Sequence, residues 1–179
     1  MLNNVDNIVL QGLYNVKLLA RLDYLGLIKS DYFKSLGIEV ELKDIFSEIG
    51  LGNRAMILSF LYTLLVVPRE LFDETSTITT EIRNLNNEIE KIKLPETNTT
   101  YKRDNLQIDY VRHIRNSVAH ANAEFFECDK VIFYDECKKN EKCEIHIPLN
   151  KIHYIIEELD KILTNYNNIK SQEEQNAKQ

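Results

Sequence analysis

The residues best equipped for chemistry sit together in RNSVAHA, Arg115 to Ala121, near the end of a helix-forming run and just before the pattern turns to strand. Arginine presents a fixed fork of donors that matches phosphate and carboxylate oxygens. Histidine exchanges a proton near neutral pH. With Asn116 directly after Arg115 and His120 close behind, two readings stand side by side. These residues coat the wet face of an ordinary helix, or they are the working parts of a nuclease.

Helical geometry sharpens the choice. Advancing 100° per residue from Val111 puts Val111, Ile114, Val118 and Ala121 within about 80° of one another, the expected core stripe. Opposite lie Asp109, Arg112, His113, Asn116 and His120, with Arg115 on the shoulder. Asn116 and His120 are neighbours on the helix surface, four residues apart. Arg115 and His120 are separated by about 140° around the helix and about 7.5 Å along it, so they do not stack directly within one chain. Arg112 and His113 share the polar face and are candidate substrate-binding residues, although Arg112 is equally placed to pair with Asp109. Tyr110 reads as a core tyrosine rather than a base-stacking one. Ser117 lacks the nucleophile elbow and orienting acid of a hydrolase serine.

The chain that carries this stretch has 179 residues, 44% hydrophobic and 28% charged, the balance of a folded single domain with a sizeable core. Its net charge of −6 opposes a general electrostatic grip on nucleic acid. The acidity is uneven, because residues 101–120 carry a local excess of two positive charges from Lys102, Arg103, Arg112 and Arg115 over Asp104 and Asp109. A locally basic groove is therefore compatible with an acidic chain. The three cysteines, Cys128, Cys137 and Cys143, read as free thiols. Strand alternation sets Cys143 and His146 on opposite faces, which argues against a zinc site; no metal and no cofactor are expected. The N-terminus lacks a secretory pattern, and the most apolar run, AMILSFLYTLLVVP, is short of the roughly 20 residues needed to span a bilayer. A cytoplasmic protein without a membrane partner is the expectation.

The positioning elements follow from periodicity. A first helix is expected from about Val5 to Tyr24, with Val5, Ile8, Val9, Leu13, Val16 and Ala20 on one face and Leu10, Tyr14, Leu18, Leu22 and Leu25 on a second edge. A short helix ends at Gly37, and Leu42 to Ile49 adds a turn or two. The apolar helix from Arg54 to Phe72 should kink at Pro68. Ile78, Ile82, Leu85, Ile89 and Ile92 mark an amphipathic helix that Pro95 ends, and PETNTT is a polar loop. The helix carrying the opening stretch is expected from Tyr101 to Ala121. Beyond it the period changes to two in EFFEC, VIFYDE and CEIHI, a small antiparallel meander. Asn150 should cap a closing helix with Ile152, Ile155, Ile156, Leu159, Ile162 and Leu163 on one face. Residues 1–164 form a single domain, and 165–179 read as a disordered polar tail.

Arg115-Asn116-Ser117-Val118-Ala119-His120 resembles the hallmark of the HEPN superfamily, an arginine followed four to six residues later by a histidine, often with a polar residue after the arginine. The continuation, HIRNSVAHANAEFFECDKVIFYDE and then CEIHIPLNKIHYIIEELDKIL, is similar to the HEPN branch named after a plasmid-encoded protein, in which a β-hairpin and a closing helix follow the motif. The specific resemblance covers roughly residues 110–163. It implies a mainly α fold, a HEPN-type helical bundle with a small antiparallel β-hairpin or meander after the motif helix. It also implies a homodimer whose motif helices face each other, bringing two copies of Arg115 and His120 to one cleft. The activity implied is metal-independent cleavage of RNA through its own 2′-OH, with Arg115, Asn116 and His120 as catalytic residues, in a bacterial toxin or antiphage defence system where an antitoxin or regulatory protein is a further partner. Asn116 would orient His120 or the phosphate. The rival readings are a non-catalytic HEPN module for RNA binding or protein assembly, and a structural subunit whose polar helix face is merely wet.

Overall fold

The computed structural model describes residues 4–37, 53–68, 76–126 and 130–176. Helix α1 (Asn4–Tyr24) buries Val9, Leu13 and Val16 of the expected first stripe, while Ile8 and Ala20 of that stripe are exposed. Its second apolar edge is not covered as expected, because Tyr14 and Leu18 are each more than half exposed, at 60% and 57%. Leu19 and Leu22 instead pack with Met56 against Phe33, which belongs to the short helix α2 (Asp31–Ser35). Ser30 caps α2 by accepting a hydrogen bond from the Phe33 N–H. The turn expected at Leu42 to Ile49 lies outside the described residues.

Helix α3 (Arg54–Leu61) starts on an Asn53 side-chain cap and widens into a π turn, Tyr62–Val66. At the place where a kink is expected, ahead of Pro68, the structure has this π turn. Proline has no N–H to donate and its ring crowds the carbonyl four residues back, so a wider turn just ahead of it relieves both problems. The Val67 N–H accordingly bonds to the Tyr62 carbonyl at 3.1 Å. The expected continuation to Phe72 lies outside the described residues. Here α1 comes very close, for a Cβ placed on Gly12 would stand 2.7 Å from Thr63 Cγ2. Thr63 cannot easily swing away, because its hydroxyl donates to the Ser59 carbonyl at 2.9 Å.

Helix α4 (Ser76–Ile92) buries Ile78, Leu85 and Ile89 as its spacing predicts. After it, the chain supplies a two-residue strand, β1 (Asn98–Thr99), within the stretch expected to be only a loop. Helix α5 (Tyr110–Ala119) carries the motif and begins later than expected. It leads into β2 (Ala123–Phe126), β3 (Lys130–Glu136) and β4 (Lys142–Pro148), and α6 (Ile152–Asn176) closes the fold. The four strands form one antiparallel sheet in the order β1-β4-β3-β2. Asn150 lies inside a 3-10 turn, Leu149–Lys151, ahead of α6 rather than at a cap. The tail expected to be disordered from residue 165 is helical as far as Asn176, with Tyr166 buried at 7% exposure. The polar composition of that stretch hid the apolar spacing that Tyr166 continues from Ile162.

One core joins these layers. Val131 and Phe133 of β3 pair with Ile147 and Ile145 of β4, and these strands pack against α5. Ile114 and Val118 of α5 and Leu159 of α6 belong to the same core. The result is the mainly α bundle with a small antiparallel meander that the periodicities indicate.

Gly12→Ala tests the α1 contact. Alanine improves helix propensity by about 1 kcal/mol, but overpacking costs about 1–3 kcal/mol, so a net loss of stability is expected. A lower thermal midpoint would confirm it, whereas a raised midpoint would mean that Thr63 yields.

Candidate functional site

The motif helix starts where side chains, rather than propensity, allow it. Asp109 accepts the Arg112 N–H at 3.3 Å, and Asn86 of α4 accepts the Val111 N–H at 2.9 Å through Oδ1. Asn86 also donates to Asp109 Oδ1 at 3.3 Å, so two side chains jointly cap the N-terminal amides of α5. Residues 102–104 form a separate 3-10 turn instead of the first turn of this helix. At the other end, the Ala121 N–H bonds to Val118 O and the Asn122 N–H to Ser117 O, at 3.2 and 2.8 Å. This paired closure requires a left-handed residue, and Ala121 takes that place with φ 54°. His120 therefore sits at the C-cap, held by a tight turn that Ser117 Oγ reinforces by donating to Asn122 O.

Between these ends the helix does not present the polar face expected of it. His113, expected opposite the core, has 0% exposure. Its Nδ1 lies 2.6 Å from Asp135 Oδ2 of β3, and its Nε2 lies 2.7 Å from Asp104 Oδ2. Each ring nitrogen thus faces a carboxylate oxygen, and Nε2 also lies 2.7 Å from Arg112 Nη2. The Tyr101 ring packs beside it with centroids 4.6 Å apart. Arg112 is largely buried as well, donating from Nη2 to Asp104 Oδ1 at 3.1 Å. Its Nε stands 3.3 Å from Asp109 Oδ2 as an ionic contact without hydrogen-bond alignment, so the expected Arg112–Asp109 pairing is present. Arg112 and His113 are thus committed to a buried charge network rather than displayed as surface contacts for a substrate.

Asp104 reports the balance of forces there. Burial pushes its carboxyl up, but the hydrogen bond and charge of His113, the Arg112 guanidinium and the Thr99 hydroxyl together bring it below the ordinary carboxylate value. Nearby Cys143 is pushed up to about 12 by burial, which makes it a poor nucleophile. Tyr110 is fully buried and its hydroxyl donates to Glu90, which places it in the core. His146, on the opposite face of β4 from Cys143, lies 2.6 Å from Glu144 Oε1 through Nε2. Among the described residues no group of three or more His, Cys, Asp or Glu side chains could hold a metal ion.

The three motif residues are placed differently from one another. Asn116 Nδ2 donates to Asp135 Oδ2 at 3.2 Å, the same oxygen that meets His113. Arg115 Nη2 lies 3.5 Å from Asn116 Oδ1, at the outer limit of a hydrogen bond. Arg115 and Asn116 are thus brought together, with the Asn116 amide held on Asp135. His120 is exposed at the helix end. Arg115 lines a cleft of about 360 Å³ between α4, the 103–109 segment and α5, to which Arg83, Arg103 and Arg112 also contribute. Sequence reasoning missed Asp135, Asp104 and Asn86. The first of these carried a signal, since Val131, Phe133 and Asp135 share one period-two row, and a carboxylate in an apolar row needs buried partners.

A family model described as HEPN pEK499 p136 matches residues 4–170 of the chain. No curated protein and no solved structure matches it.

Two stability predictions follow from the network. Asp135→Ala removes the acceptor of both His113 and Asn116 and should cost about 3–5 kcal/mol, the price of a broken buried pair, measured by urea unfolding. A loss under about 1 kcal/mol would show that water replaces the carboxylate without penalty. Because Asp104 is held below its unfolded value of about 3.9, its contribution is complete above that pH and disappears as pH falls through the lower folded value. Thermal midpoints should fall below about pH 4, and Asp104→Asn should flatten that acid limb while lowering stability at neutral pH.

Proposed function

The chain belongs to the HEPN family described as pEK499 p136, and from that premise we propose that it is a metal-independent endoribonuclease whose working cleft forms between two copies of the chain. The observation that carries this reading is Arg115 in a basic cleft with His120 exposed on the same helix. Arg115 stands on the wall of an arginine-lined cleft, Asn116 is tied to a buried carboxylate, and His120 is exposed at the end of the same helix.

RNA supplies its own nucleophile in the 2′-OH. His120 takes the proton from that hydroxyl as its oxygen bonds to phosphorus, and the bond from phosphorus to the 5′-oxygen breaks. The departing oxygen takes a proton from an imidazolium, a task that the second copy of His120 performs in a homodimer. Arg115 offsets the charge that grows on the phosphoryl oxygens, and Asn116 holds the guanidinium in place. The products carry a 2′,3′-cyclic phosphate and a 5′-hydroxyl, and DNA resists because it lacks the nucleophile. The divergence of Arg115 and His120 within one chain is what makes the second copy necessary. We place the activity in a bacterial toxin or antiphage defence system, with an antitoxin or regulatory protein as a further partner.

The net charge of −6 favours the second reading, a HEPN module that binds RNA or organises an assembly without cutting. Purified protein incubated with structured and unstructured RNA in EDTA separates the two. Cleavage should survive the chelator and fall at least about 100-fold in both Arg115→Ala and His120→Ala. Equal cutting by all three proteins would identify a contaminant and remove these residues from the mechanism. RNA binding without cleavage would establish the module instead.

A further inference from the structure

We propose that the cleft beside Arg115 is a single-nucleotide subsite, which holds the phosphate and ribose of an RNA residue flanking the bond to be cut; this rests on the ribonuclease reading above. The cleft is about 360 Å³, within the size range of small-ligand pockets, and its chemistry is divided as a nucleotide's is. Its lining joins the apolar Ile82, Ile108 and Val111 with Arg83, Arg103, Arg112 and Arg115, against the single carboxylate of Asp109. Arg112 is already engaged by Asp104 and Asp109. Arg103 is only loosely held by Asp109, at 3.9 Å with most of its side chain exposed, and Arg83 is exposed on α4. Arg83 and Arg103 thus line the cleft from two different segments, α4 and the turn before α5, and offer two guanidinium forks to a phosphate.

The contrast with a second large hollow among the described residues assigns the anion to this side. That hollow, of about 640 Å³ against the sheet, is lined by Glu124, Asp135, Glu136 and Glu144 with only Lys142 to offset them, a lining that repels phosphate. In a chain of net charge −6, the arginine cleft is therefore a local exception placed next to the motif arginine.

The test uses full-length protein and a short fluorescein-labelled RNA with 2′-O-methyl groups, which binds but cannot be cut, titrated by fluorescence anisotropy at several salt concentrations. Arg83→Ala/Arg103→Ala alters two surface residues and should leave the thermal midpoint in place. It should weaken binding by at least about 10-fold and reduce the slope of log affinity against log salt by about 1.4, the loss of two single-strand phosphate contacts. Unchanged affinity and slope would overturn the proposal, as would wild-type protein that does not bind the oligonucleotide at all. Adenosine monophosphate competing as strongly as the oligonucleotide, with the same dependence on Arg83 and Arg103, would make this a free-nucleotide site and overturn the RNA assignment. The two readings fail separately. Arginine-dependent binding by a wild-type protein that never cuts RNA removes the nuclease and keeps the cleft. Cleavage dependent on Arg115 with binding untouched in the double variant does the reverse.

Discussion

His113 lies between two carboxylates with no contact with solvent, and the motif helix is held by that arrangement. Asp135 reaches it from the sheet and Asp104 from the 3-10 turn before the helix, so sheet, turn and helix are tied at one imidazole. Apolar packing alone would let α5 slide or rotate on β3 at modest cost. A buried imidazole held between two fixed carboxylates does not permit this, because any shift leaves polar and charged groups unpaired in a region of low polarity. The Tyr101 ring and Arg112 close the remaining sides, with the guanidinium 5.1 Å from the ring centroid. Desolvating so many charges brings little net stability compared with an apolar core. What it supplies is a single register between helix and sheet.

The motif hangs from the same anchor. One oxygen of Asp135 meets both His113 and Asn116, and Asn116 in turn stands against Arg115. The orientation of the candidate phosphate-binding residue is thereby linked to the buried core through a chain of polar contacts. His120 depends on a different device, the left-handed turn at Ala121 that ends the helix. The two ends of the motif are set independently by the fold, and the proposed homodimer is the arrangement in which they complement each other.

Charge is divided along the same lines. The network around His113 uses Arg112 internally, while Arg83, Arg103 and Arg115 line the cleft outside it. An acidic chain can therefore present one basic recess without becoming a general polyanion binder, since exposed charges more than about 8–10 Å away are largely screened at physiological salt. Among the described residues no helix is long and apolar enough to cross a membrane.

Local repetition made much of this protein legible in its sequence. The spacing of Ile78, Leu85 and Ile89, the alternation through Val131 and Phe133, and the stripe from Ile155 to Leu163 each report an element with one buried face, and each element formed. The motif itself is also local, being a few residues near one helix end. Partners far away in sequence decided the rest. The start of α5 at Tyr110 rather than Tyr101 depends on Asn86, which is 25 residues from the amide it caps. The fate of His113 depends on Asp135, 22 residues on, and β1 exists because Thr99 pairs with Cys143. A helical projection ranks His113 as wet because it counts only the apolar stripe, whereas a polar residue can be buried wherever the fold delivers its counter-charge. Periodicity marked most of the faces that would be covered; only the tertiary structure decided which charges would be covered with them.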